Sequence, residues 1–77
     1  MSRTFQDANL LIWEAYPSGG AHGESDRPHI VFNCLSNRML RPRFVSMRGD
    51  EADAEREVAL ASNEELRALF ARSQEVS

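Results

Sequence analysis

Lysine is absent: all nine basic residues of this 77-residue chain are arginine. A Walker-type phosphate loop needs a lysine beside its serine or threonine, so that chemistry is excluded despite the glycines at Gly19, Gly20 and Gly23. Cysteine is represented only by Cys34, which rules out an internal disulfide and fits a reducing compartment. Long apolar runs are missing as well. Nothing approaches the roughly 18 residues of a spanning helix, and Met1 to Asp7 lacks the apolar centre of a signal peptide. The expectation is a cytoplasmic protein with no membrane insertion, and exclusive use of arginine points to a GC-rich bacterial genome.

What is present describes one small folded domain spanning 1–77. A hydrophobic fraction of 42% with 27% charged residues is that of a globule rather than a disordered chain. A chain this short buries only about 60–65% of its unfolded surface, so its core is thin and has little room for a deep active site. The net charge of −3 conceals a division. Residues 1–48 hold six arginines against four acids, and residues 49–77 hold three against eight. Two such halves attract, and the expectation is that the acidic C-terminal part packs beside the basic end of the sheet and partly neutralises it.

The segment from Leu10 to Pro17 organises the rest. It contains the single Trp and the single Tyr, and its residue types favour a pleated, half-buried surface. Alternation places Leu10, Ile12, Glu14 and Tyr16 on one face and Leu11, Trp13 and Ala15 on the other. Both faces are largely apolar, and each therefore calls for a cover. Before it, Arg3 to Asp7 reads as a short strand with Phe5 inward, joined through the turn residues Asp7-Ala8-Asn9. After it, residues 18–28 form a loop rich in Gly and Ser. His29 to Leu35 is a third strand, with Ile30, Phe32 and Cys34 on its core face. The return from Met39 to Met47 is a fourth, and Pro42 should place it at an edge or break it.

Two helices close the chain. Asp50 can cap one running from about Glu51 to Leu60, with Ala54, Val58 and Ala61 as its apolar stripe. Ser62-Asn63-Glu64-Glu65 is a capping box that starts a second, docked through Leu66, Leu69 and Phe70. The sheet should thus occupy 3–47 and the helical part 50–72, with 73–77 as a frayed tail. The fold expected is α+β: a small antiparallel meander of about four strands followed by one or two short C-terminal helices.

Several of these stretches together resemble a class of very short uncharacterised bacterial proteins. They are Phe5, Asp7, Ile12 to Pro17, Arg38-Met39-Leu40-Arg41-Pro42 and Ser62-Asn63-Glu64-Glu65-Leu66. Members of that class show a strand hairpin with a Trp-bearing second strand, an arginine-rich turn and a final Leu-Ser-Asp-x-Glu-Leu helix start. Ala61 and Asn63 depart from that last pattern. The class has no assigned activity to transfer.

No constellation in the sequence supports an enzyme. His22, His29 and Cys34 are metal-ligand types, but spacings of seven and five match no tight ligand pair. Cys34 as a nucleophile with His29 as base and Asp26 behind it fails on geometry, because residues five apart in a strand lie on opposite faces and roughly 16 Å apart. The acids from Asp50 to Glu57 read as a solvated helix face, and no cofactor is expected. What remains is binding. A thin core around an apolar strand suggests a protein-interaction module, an accessory subunit or a homodimer, with Leu11, Trp13 and Leu35 as the partner surface. The alternative is nucleic acid held at an arginine-rich sheet edge by Arg38, Arg41, Arg43 and Arg48.

Overall fold

In the computed structural model, residues 2–18 and 28–76 are described. The Gly-rich segment, with His22 and Asp26, lies outside them. The order is β1 (Arg3–Gln6), β2 (Ile12–Ser18), β3 (His29–Cys34), β4 (Arg43–Ser46), α1 (Glu51–Leu60), α2 (Asn63–Ala71) and β5 (Gln74–Glu75). The five strands form one antiparallel sheet in the order β1-β2-β3-β4-β5. The molecule is thus an α+β fold with β3 at its centre.

Strand alternation and register decide which side chains meet the helices. Phe5, Trp13 and Cys34 align across β1, β2 and β3, and Ala15, Phe32 and Arg43 align across β2, β3 and β4. Pro17, Ile30 and Val45 make a third row. Helix α1 packs on β2 and β3, α2 packs on β1 and β4, and both bury their apolar stripes against this one face. Val58 and Leu66 are fully buried there. Phe70 of α2 sits at the junction, its ring centroid 4.6 Å from that of Trp13, 5.6 Å from Phe5 and 5.5 Å from Phe32. The opposite face carries Ile12, Glu14 and Tyr16 of β2, Val31 and Asn33 of β3 and Phe44 of β4, and no described element covers it.

Local chemistry sets the element boundaries. Oδ1 of Asp7 accepts from the N–H groups of Asn9 (2.8 Å) and Leu11 (2.9 Å), folding the β1–β2 turn around a carboxylate. Leu10 closes that turn in the left-handed region at φ 66°. Helix α1 begins at a capping box between Asp50 and Asp53, and α2 at one between Ser62 and Glu65. Gly49, at φ +94°, delivers the chain to the first of these.

Three sequence expectations meet different outcomes. Ser73 to Val76 do not form a frayed tail: Ser73 is buried, and β5 pairs with β4 through Arg43–Glu75 and Phe44–Gln74. Consequently β4 is not an edge strand, and of the two outcomes expected of Pro42 it is the break that occurs. It begins only at Arg43, after Pro42, and Pro42 supplies a carbonyl to the N–H of Val76 (2.9 Å) rather than a blocked edge. The acidic helices do pack on the sheet, but among the described residues their acids form no ion pair with its arginines. Among the described residues the ion pair formed is Arg56–Asp53, within α1 itself.

Candidate functional site

The residues expected to meet a partner are dispersed. Trp13 is only 4% exposed, because Phe70 lies over its indole and Nε1–H is spent on Asp7 Oδ2 at 2.8 Å. Leu11 is half-buried against the same core. Leu35 alone of the three is exposed. Trp13 thus belongs to the core, and Leu35 to a surface whose other members the sequence reading passed over.

The four arginines part company as well. Arg43 turns to the helix face, where Nε donates to Ser73 Oγ (2.8 Å), Nη2 donates to the Ser73 carbonyl (2.7 Å), and the guanidinium lies 5.6 Å from the Phe70 ring centre. Arg48 follows β4 at the opposite end of the sheet from Arg38 and Arg41, which both belong to the β3–β4 connection. Only Arg38 and Arg41 remain as neighbours, and neither guanidinium has a hydrogen-bond or ion-pair partner among the described residues.

These two arginines stand among exposed aliphatic side chains. Antiparallel topology brings the β1–β2 turn, the β3–β4 connection and the end of β5 to one end of the sheet. Leu10, Ile12, Leu35, Met39, Leu40 and Val76 are all there, which is six of the seven large exposed hydrophobics among the described residues. Met39 is 90% exposed and Leu10 73%. Ladder contacts tie the set together. Leu35 N–H donates to the Ile12 carbonyl (2.8 Å), and Val76 N–H reaches Pro42. A concentration of this kind differs from the scattered exposed apolar residues of an ordinary surface.

The β3–β4 connection divides this end into two shallow clefts. On the open face, Glu14, Asn33, Leu35, Arg38, Leu40 and Pro42 line one of about 390 Å³. On the helix face, one of about 320 Å³ is lined by Asp7, Trp13, Leu40, Arg41, Phe70 and Glu75 among others. Leu40 borders both. Glu14 and Arg38 share the first cleft without forming an ion pair, and Glu14 Oε2 instead accepts from Ser2 Oγ at 3.0 Å. In the second, Asp7 is held as a carboxylate. Partial burial opposes its ionisation, but the donors Leu11 N–H, Trp13 Nε1–H and Asn9 N–H outweigh that and lower its pKa.

The groups weighed for metal or nucleophilic chemistry are not assembled. Cys34 is buried in the core, and His29 lies on the opposite face against Phe44, with ring centroids 5.4 Å apart. Among the described residues no three His, Cys, Asp or Glu side chains are placed to hold a metal ion, and no helix is long and apolar enough to cross a membrane.

No known family, curated protein or solved structure matches the chain. The surface is therefore read from its own chemistry. The sequence pattern puts Leu10 at the start of the second strand and Met39 and Leu40 at the start of the fourth, so this surface is not legible in it; in the structure all three lie in turn segments before β2 and β4 begin, where no core receives them.

Proposed function

We propose that this chain is a non-enzymatic protein-interaction module, or an accessory subunit of a larger assembly, that docks through the hairpin end of its sheet. The observation that carries the reading is the gathering of Leu10, Ile12, Leu35, Met39, Leu40 and Val76 at that end beside two unpaired arginines. Methionine and arginine are enriched at protein interfaces, and an apolar centre with a charged rim is their usual anatomy. The flexible, polarisable Met39 side chain suits a surface that moulds to a partner. Burial of Cys34 away from His29 supports the non-enzymatic half of the proposal.

Nucleic-acid binding is less well supported by the same geometry. Arg43 is committed to Ser73 and Phe70, and Arg48 is at the far end, so no line of four arginines follows the sheet.

Capture experiments test the reading. The tagged full chain should retain a protein from its host extract, and Leu10→Glu with Met39→Glu should abolish retention. Leu60→Glu, a change at the one large exposed hydrophobic among the described residues away from this end, should leave retention intact. Equal retention by all three would overturn the proposal.

A further inference from the structure

The hairpin end is both a projection and a recess. Met39, 90% exposed, stands at the tip of the β3–β4 connection, and the 390 Å³ cleft bordered by Leu35, Leu40 and Pro42 lies beside it on the open face. The cleft is large enough for an unbranched side chain such as methionine. Its two charged groups, Arg38 and Glu14, are of opposite sign and unpaired with each other. A surface that carries a knob, a hole, a cation and an anion is complementary to itself under a two-fold rotation.

Resting on the interaction-module reading, we infer that the occupant of this surface is a second copy of the chain. In the resulting isologous dimer, Met39 of each copy enters the Leu35–Leu40–Pro42 cleft of the other, and Arg38 of each faces Glu14 of the other. A two-fold contact uses each exposed side chain twice, so the apolar residues at this end, Met39 and Leu10 foremost, are buried in pairs. Charge bears on it as well. Asp7, Glu14 and Glu75 stand at this end beside Arg38 and Arg41, which have no ion-pair partner among the described residues, so each copy offers both signs of charge to the other. Leu10, at the β1–β2 turn, extends the apolar contact beyond the cleft.

Sedimentation velocity and light scattering on the full chain over a range of concentrations provide the test. The expected mass rises with concentration to twice the 8.7 kDa of one chain. Met39→Glu should weaken the dimer at least ~10-fold, the equivalent of one 1.4 kcal/mol step, with an unchanged far-UV spectrum. Leu60→Glu should have no effect. Arg38→Glu and Glu14→Arg should each weaken association, and the double exchange should restore it, which only reciprocal pairing between copies explains. A chain that stays monomeric at every concentration overturns the second copy. If that monomer still captures a host protein, or floats with anionic vesicles, through Met39, the docking surface stands with another occupant. A dimer indifferent to Met39→Glu overturns the proposed interface, and the capture result then decides the docking reading independently.

Discussion

The indole N–H of Trp13 donates to Oδ2 of Asp7 at 2.8 Å, joining the core's largest ring to the carboxylate that folds the β1–β2 turn. Turn and core are thereby one unit. Removing the carboxylate leaves a nearly buried indole N–H and two turn N–H groups without their acceptor. Asp7→Ala is expected to cost about 1–3 kcal/mol. Denaturant unfolding followed by the emission of Trp13, the only tryptophan, measures it.

Acid should loosen the same turn and both helix starts. Asp7, where partial burial is outweighed by its donors, and Asp53, held by the Asp50 N–H within its box, both have pKa values lowered from 3.8. Glu65, held by the Ser62 N–H, is lowered from 4.5. A depressed folded-state pKa contributes stability that is complete above the unfolded value and lost as pH falls through the folded one. Stability should therefore be level with respect to these groups above about pH 5–6 and decline below pH 4.5. Substituting Asp7→Asn together with Glu65→Gln should flatten that decline in an unfolding series across pH. An unchanged acid limb would reject these groups as its source.

Phe70 touches Phe5, Trp13, Phe32 and Arg43, so its ring fills the space where α2 meets four strands. Phe70→Ala should cost about 3–5 kcal/mol, a large part of the stability of so small a domain. Loss of the near-UV signal of Trp13 at temperatures where the parent remains folded would register it.

Gly49 tolerates no side chain. A Cβ there would collide with Asp53 Oδ2, the acceptor of the Asp50 N–H in the α1 capping box, and φ +94° is itself strained for other residues. Gly49→Ala should destabilise the chain by more than about 1 kcal/mol, with hydrogen exchange accelerated first at Asp50 to Ala54. An exchange pattern unaltered there would contradict the account.

Arg43 fastens the C-terminal strand. Its two hydrogen bonds to Ser73 and its position over Phe70 hold β5 beside β4. Arg43→Met keeps much of the side chain's bulk but removes the donors, and should speed amide exchange at Val76 by roughly 10-fold, or about 1.4 kcal/mol of local opening. Exchange elsewhere in the sheet should change less.

Sequence alone determined the features governed by near neighbours. Alternation in β2 and β3 separated Trp13, Ala15, Ile30 and Phe32 from Glu14, Tyr16 and Val31. The Asp50 and Ser62 caps placed the helix starts at Glu51 and Asn63, because a cap and the N–H it satisfies are two or three residues apart. Tertiary structure decided everything that depended on distant partners. Ser73 to Val76 has no strong strand pattern of its own, and becomes a strand only because α2 returns it to β4 and Arg43. Arg3 likewise has no local role. Its Nη1 meets the Val58, Ala59 and Ala61 carbonyls at 3.2, 3.3 and 2.9 Å, serving the basic-poor end of a helix more than fifty residues away. Whether an apolar residue is core or surface was decided in the same way. Trp13 is covered because Phe70 arrives from α2, while Leu10 and Met39 are exposed because antiparallel topology puts both turns at the end of the sheet, where α2 borders the β1–β2 turn through Arg67 and Phe70 without covering either side chain.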